Sequence, residues 1–280
     1  MKPNARRHVV FAAGMLFVMI AAIAVAGSHH LAVIRPGGPP ATDQAHAQVA
    51  GLMHGLAATA GWPAGSADAR YFNTTDDGYR YVKSQRPGFV FTTPGFYLAY
   101  RDELKLQPLT RAVLREGDTI QYFVVAKKGG ASSLADLKGK TLAGAHLAEP
   151  AFVERIVLGG QLKLGDDVQA KVTSGFAALK NLHAGTVDAV LLDSKEKQAL
   201  AALPFAGDLV VIFTSATIPN TGIMAVGGNV SAAEAAALRK AAADFCGSAA
   251  GKAVCDTFGI ERFVPADASV YQRLVDQYGR

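Results

Sequence analysis

The chain has 280 residues, 50% of them hydrophobic, enough for a packed core in one or two domains. The formal charge of +5 falls to 5 − 3 = +2 once Lys2, Arg6 and Arg7 of the N-terminal segment are set aside, so nothing in it argues for nucleic acid. No H-E-x-x-H, C-x-x-C, G-x-S-x-G or glycine-rich dinucleotide fingerprint occurs, which removes the commonest catalytic classes.

The N-terminus, MKPNARRH, is basic, and Val9 to Ala26 is an unbroken apolar run ending in small residues at Ala22, Ala24 and Ala26. Residues 1–26 therefore read as a signal peptide cut near Ala26, with an uncleaved membrane anchor as the alternative. Both place the folded part in the periplasm. The two cysteines, Cys246 and Cys255, are then candidates for a disulfide, provided the chain bends between Gly247 and Gly251. The alternative is two buried thiols.

Leu31 to Ile34 reads as a short strand broken by Arg35-Pro36-Gly37-Gly38-Pro39-Pro40, the kind of loop found at the carboxyl edge of an open α/β sheet. Asp43 opens a helix to about Ala60, whose His46 and His54 are too far apart around the axis to pair and are expected at the surface. A strand over Arg70 to Asn73, a helix over Asp76 to Ser84 and a strand over Gly88 to Thr92 follow. The chain then turns through Thr93-Pro94-Gly95 into a helix at Phe96, where Thr92 and Thr93 are placed to cap it, to contact a ligand, or both. Leu109 to Arg115 and Thr119 to Ala126 read as a pair of strands.

Between Tyr122 and Pro150 the order is strand, turn, short helix, strand, loop. Gly139-Lys140-Thr141 mimics the end of a P-loop, but the glycine that motif needs at position 134 is Leu134. Beyond Pro150 a helix over Ala151 to Leu158, a strand from Asp167 to Thr173, a helix from Gly175 to Ala184 and a strand from Val187 to Leu192 keep the β/α rhythm of a mainly parallel sheet. A helix from Lys195, a strand over Leu209 to Phe213 and a strand over Ile223 to Val226 lead to a capped helix over Ser231 to Phe245. The tail from Cys255 to Gln277 reads as two short helical pieces. His146 and His183 lack an evident nucleophile and carry no catalytic expectation.

Several strings share one resemblance. S-L-A-D-L-K-G-K-T-L at Ser133 to Leu142 looks like the inter-lobe signature of type II periplasmic binding proteins. F-T-T-P-G-F-Y-L-A from Phe91, L-H-A-G-T-V-D-A-V from Leu182, I-P-N-T-G-I from Ile218 and G-I-E-R-F-V-P-A-D from Gly259 are similar to the phosphate/phosphite/phosphonate-binding family of ABC-transporter substrate-binding proteins. The resemblance implies an α/β fold of two lobes joined by two crossover strands, with residues 27–122 and 214–280 in one and 123–213 in the other. It implies a monomer that is not an enzyme, uses no cofactor or metal, and delivers its ligand to an inner-membrane ABC permease. By position, the ligand cleft maps onto Arg35, Thr92, Thr93, Phe96, Tyr97, Tyr122, Glu149, Phe176, Asp193 and Asn220.

The anion site departs from that family. Where its phosphonate binders present hydroxyls at a helix start, this chain has Ala148-Glu149-Pro150-Ala151, and Phe176 stands where a polar side chain is common. A carboxylate ~4 Å from a phosphonate costs several kcal/mol at surface-like dielectric. The expected ligand is therefore not a simple phosphonate but an apolar molecule with a small polar head, lipid- or sterol-like. The alternatives are a cationic or hydroxylated metabolite, a phosphonate as in the family, and a tethered sensory domain. For Glu149 itself the alternative is a solvent-facing helix-dipole residue.

Overall fold

The structure, a computed structural model, describes residues 29–279; the expected leader lies outside them. In chain order the first half runs β1 (His30–Ile34), α1 (Asp43–Thr59), β2 (Asp68–Phe72), α2 (Thr75–Gln85), β3 (Phe89–Thr92), α3 (Pro94–Tyr100), β4 (Leu106–Pro108), β5 (Thr110–Leu114), β6 (Thr119–Ile120) and β7 (Tyr122–Lys127). Then come β8 (Thr141–Gly144), α4 (Pro150–Phe152), β9 (Gln169–Val172), α5 (Gly175–Ala184), β10 (Ala189–Asp193), α6 (Ser194–Leu200) and β11 (Leu209–Thr214). The chain closes with β12 (Ile218–Pro219), β13 (Ile223–Val226), α7 (Ala232–Phe245), α8 (Ala249–Phe258), β14 (Ile260–Pro265) and α9 (Gln272–Tyr278).

Two five-stranded sheets result, one ordered β2-β1-β3-β13-β4 and the other β11-β7-β10-β8-β9. In both, the βα strands pair in parallel, and the strands that carry the chain across, β7 and β13, pair antiparallel with their neighbours. The physical reason is direction of travel. A βα strand leaves its sheet at the edge facing the other lobe, whereas a crossover strand arrives there. Tyr122, the first residue of β7, consequently lies opposite Asp193, the last of β10.

Local sequence accounts for most helix starts. Thr42, Thr74, Thr93 and Ser174 each accept a first-turn N–H, and Asp193 and Ser231 form reciprocal capping boxes with Glu196 and Glu234. Asp136 does the equivalent for the turn at Ser132 and Ser133, whose N–H groups it accepts at 2.9 and 3.0 Å, while Leu134 and Leu137 are buried beneath.

Three expectations need correction. The strands at 109–115 and 119–126 do not form a hairpin. β5 pairs with β14, β6 with β12, and β7 joins the second sheet, so a piece expected to be helical, Ile260–Pro265, is a strand. Its partner lies far away in sequence, and neither segment alone carries a signal for the pairing. After Phe152 the expected α-helix widens into a π-helical stretch, Val153–Val157. His46 is not merely a surface residue, because its Nδ1 accepts the Tyr71 N–H at 3.2 Å; His54 does stay exposed, 3.9 Å from Asp68.

The cores explain why the lobes meet. One apolar cluster fills the outer side of the first sheet and another that of the second. The third spans both, joining Ala32 and Val90 of the first sheet, Val124 and Leu191 of the second, and Phe96, Phe152 and Leu274 between them. Across this junction Arg155 donates to the Tyr278 carbonyl at 2.7 Å and Gln277 to the Arg155 carbonyl at 2.8 Å.

Cys246 and Cys255 are bonded to each other, their Cα atoms 5.6 Å apart. Ser248 ends α7 and caps α8, supplying the bend that brings positions nine residues apart together. Replacing both cysteines by alanine should cost about 2–3 kcal/mol by chain-entropy reasoning, read as a lower melting temperature in a thermal melt; an unchanged melt would contradict it.

Candidate functional site

The carboxyl ends of β1, β3, β8 and β10 and the amino end of β7 converge where the two sheets face each other. β1 delivers Arg35 and the Gly37-Gly38 turn, and β3 delivers Thr92 and Thr93 into α3. β8 is followed by Ala145 to Ala148, one turn of 3-10 helix, and then Glu149; β10 ends in Asp193. The approach is close. A Cβ added at Gly37 would lie 2.0 Å from the Ala145 carbonyl oxygen, and one at Gly95 would lie 2.5 Å from a Glu149 carboxylate oxygen and 2.9 Å from Phe152 Cβ.

Glu149 does not face solvent on its own helix. Its carboxylate reaches from the second lobe to the start of α3 in the first, where the Thr93 hydroxyl donates to it at 2.7 Å while itself accepting the Phe96 N–H at 3.2 Å. Only glycine at position 95 admits the carboxylate this closely. Burial pushes the Glu149 carboxyl up to about 7, against the opposing pull of the Thr93 hydrogen bond, the His146 charge and the Phe96 N–H. Tyr122, buried beside it, is raised well above 10 by burial and then by the negative charges of Glu149 and Asp193. Its ring meets His146 edge-on at 5.0 Å and Phe152 at 5.9 Å.

The second feature of the junction is His146. Its Nε2 lies 3.0 Å from Glu196 Oε2 and 3.6 Å from Asp193 Oδ2. Burial alone would lower its pKa, but the hydrogen bond to Glu196 and the charges of Glu196 and Asp193 outweigh it and raise it. Glu196 shows the converse: burial raises it, and the hydrogen bond and charge of His146 bring it below the ordinary carboxylate range. Among the described residues, His146, Asp193 and Glu196 form the group able to hold a metal ion, their ligand atoms all within 4.8 Å of one another.

Of the ten expected site residues, Thr93, Tyr122, Glu149 and Asp193 come together here. Arg35 is exposed yet close enough for its charge to act on Tyr122, His146 and Glu196. Thr92 is buried with its hydroxyl unpartnered, while its carbonyl accepts the Thr221 hydroxyl. Phe96 and Tyr97 are packed into the shared core, Tyr97 against Tyr271 at 5.0 Å, so α3 offers the junction its backbone and not its rings. Asn220 donates its amide to the Gly117 carbonyl at 3.1 Å, and its own carbonyl accepts the Tyr271 hydroxyl at 2.9 Å, which ties it to the crossover loop. Phe176 is 57% exposed, with the Lys180 amino group 4.6 Å from its ring centre. Sequence reasoning passed over His146 and Glu196. The D-x-x-E capping box at Asp193 was a legible signal for Glu196, but nothing local to His146 points 50 residues ahead to its partner.

The sequence matches, over residues 41–271, the family described as "ABC transporter, phosphonate, periplasmic substrate-binding protein". The chain belongs to that family. As a member of this periplasmic substrate-binding family it is a transporter component with an ABC permease as partner, and the family is not one of enzymes. A comparison with curated proteins found no match. Solved structures similar to it include a Xanthomonas citri protein bound to ATP (TM-score 0.70, 15% identity, 90% of this chain and 96% of that one). A binding-protein component of an ABC phosphonate transporter from Pseudomonas aeruginosa is also similar (TM-score 0.67, 13% identity, 89% and 86%). So is a Prochlorococcus marinus protein in complex with methylphosphonate (TM-score 0.63, 14% identity, 90% and 97%). At such identities the likeness is one of fold, the two-lobed type II periplasmic binding fold. No helix among the described residues of this binding protein is long and apolar enough to cross a membrane.

Proposed function

We propose that this binding protein carries, to its ABC permease, a ligand other than a simple phosphonate, held between lobes formed by residues 27–122 with 214–280 and by residues 123–213. The observation that carries this reading is the Glu149 carboxylate on the Thr93 hydroxyl at the start of α3. That hydroxyl is a donor an oxyanion would need, and an acid already takes it. When the lobes part, Glu149, Asp193, Tyr122 and Phe152 line the opening. A small hydroxyl- or amine-bearing head can meet the acids while an apolar body, lipid- or sterol-like, lies on the rings. The protein acts as a monomer, as a carrier that closes on one ligand does.

A second reading keeps the phosphonate of the family. It is favoured by Thr92, whose buried hydroxyl has no partner and would gain one from an oxyanion beside it.

The two readings separate in a thermal-shift series with methylphosphonate, phosphite, phosphate and solubilised sterol and lipid extracts. Mass spectrometry of what co-purifies with the exported protein complements it. A ligand bound only by the folded form raises the melting temperature. The expected result is a shift with the sterol or lipid fraction and none with the oxyanions; a shift with methylphosphonate alone reverses the reading.

A further inference from the structure

We propose that His146, Asp193 and Glu196 form a binding site for one divalent transition-metal ion of the zinc or manganese class. The site sits on the rim of the second lobe where the first lobe closes over it. It shares Asp193 with the solute opening proposed above, so an ion there would compete with a head group on that acid, and metal binding is tested without solute.

Geometry comes first. Zinc holds nitrogen and carboxylate oxygen at about 2.0–2.2 Å, which puts neighbouring ligand atoms roughly 3.0–3.6 Å apart. Here His146 Nε2 stands 3.0 Å from Glu196 Oε2 and 3.6 Å from Asp193 Oδ2. A small inward adjustment of each side chain seats an ion among the three.

The carboxylates are also held ready. Asp193 Oδ1 accepts the Glu196 N–H at 2.8 Å and Glu196 Oε2 accepts the Asp193 N–H at 3.0 Å, so the capping box fixes both rotamers before any ion arrives. It leaves Asp193 Oδ2 turned toward His146. Gly175, where a Cβ would lie 2.2 Å from Glu196 Oε1, gives the carboxylate its space beside the start of α5.

Charge and access agree with the geometry. Two carboxylates converge on one imidazole nitrogen, a donor set that favours a cation. The side chains are 20%, 11% and 26% exposed, open enough for an ion to enter yet low enough in water content for the ligands to compete with hydration. One nitrogen and two oxygens, with no sulfur, suit zinc or manganese better than copper(I), which prefers thiolate, or calcium, which takes six to eight oxygens. The other groups acting on His146 and Glu196 include Arg35, whose guanidinium opposes a cation, and, at His146, the edge of the Tyr122 ring. Glu149, in turn, feels the His146 charge.

The test uses the exported chain without an affinity tag, stripped with chelator and titrated calorimetrically with zinc chloride or manganese chloride. One saturable site is expected, with a rise in melting temperature. Asp193→Asn, Glu196→Gln and His146→Gln should each weaken binding about tenfold or more. Glu196→Gln keeps an oxygen for the Asp193 N–H, so it serves if the His146 variant fails to fold. Arg35→Gln should tighten binding about threefold or more, since it removes a repelling charge. Absence of saturable binding, or binding that persists unchanged in both Glu196→Gln and His146→Gln, overturns the proposal and leaves the cluster an ion pair only.

Discussion

Glu149→Ser is expected to convert the junction into an oxyanion acceptor. Removing the carboxylate frees the Thr93 hydroxyl and deletes a negative charge within contact distance of where an anion would sit. At an effective dielectric near 20, two like charges about 4 Å apart repel by ~4 kcal/mol, so even after screening methylphosphonate should bind the variant at least about tenfold more tightly than the parent chain. Calorimetric titration at pH 8, where Glu149 is mostly ionised, reads the difference. Equal affinity in the two proteins would show that the acid is not what keeps an oxyanion out.

The same residue sets a pH dependence whose sign can be worked out. Its carboxyl has an ordinary value of 4.5 and about 7 in the folded protein, because burial outweighs its hydrogen bonds. The folded state therefore holds this proton more firmly than the unfolded chain. The stability it contributes is complete below 4.5, declines as pH rises, and is gone once pH passes about 7. The gap corresponds to about 3 kcal/mol. His146, also raised, acts in the same direction, and Glu196, which is lowered, loses its contribution as pH falls. The clean measurement is consequently a comparison. Melting temperatures from pH 5 to pH 8.5 should fall less steeply in Glu149→Gln, which keeps an acceptor for the Thr93 hydroxyl but does not titrate. Parallel curves would refute the assignment.

Gly37→Ala should hold the lobes apart. Gly37 has φ +74, where an L side chain is strained, and its added Cβ would meet the Ala145 carbonyl oxygen of the other lobe at 2.0 Å. Backbone on both sides leaves no flexible end to yield, so separation of the lobes is the available relief. Gly61→Ala is the control, since Gly61 has φ +73 and open space around it. It should lose only about 1 kcal/mol from backbone strain. Small-angle X-ray scattering is expected to give a larger radius of gyration for the Gly37 variant alone. That variant should also lose the Glu149-dependent slope of melting temperature with pH, because the Thr93 contact no longer forms. A compact Gly37→Ala protein would mean that the junction can shear instead of opening.

The parts legible in the sequence share one property: their signals are local. The α1 start at Asp43, the Thr93-Pro94 entry to α3, the capping box of α7 and the βα rhythm from β8 to β10 each rest on residues within a turn or two of one another. Glu149 could be singled out as chemically out of place for the same reason, since it replaces the hydroxyls that the family's motif leads one to expect. Its target could not be read. The expectation put its charge on the helix it precedes, but that helix starts with Pro150 and turns π-helical after Phe152, while the donor it meets, Thr93, caps α3 in the other lobe, 56 residues back. The rings of Phe96 and Tyr97 were misread in the complementary way. Their spacing marks them as apolar, and only packing decided that they would face the shared core and leave the junction to backbone and carboxylate.

Sequence alone thus determined the family and the two-lobed α/β architecture and singled out Glu149 as the acid that departs from the family strings, because hydrophobic periodicity, caps and family strings are written along the chain. Tertiary structure decided what those residues touch: Glu149 with Thr93, His146 with Asp193 and Glu196, β5 with β14. Each of these joins segments that meet only after the chain has crossed between lobes and returned. Electrostatic and backbone complementarity at such distances is a property of the folded surface, and no window of neighbouring residues contains it.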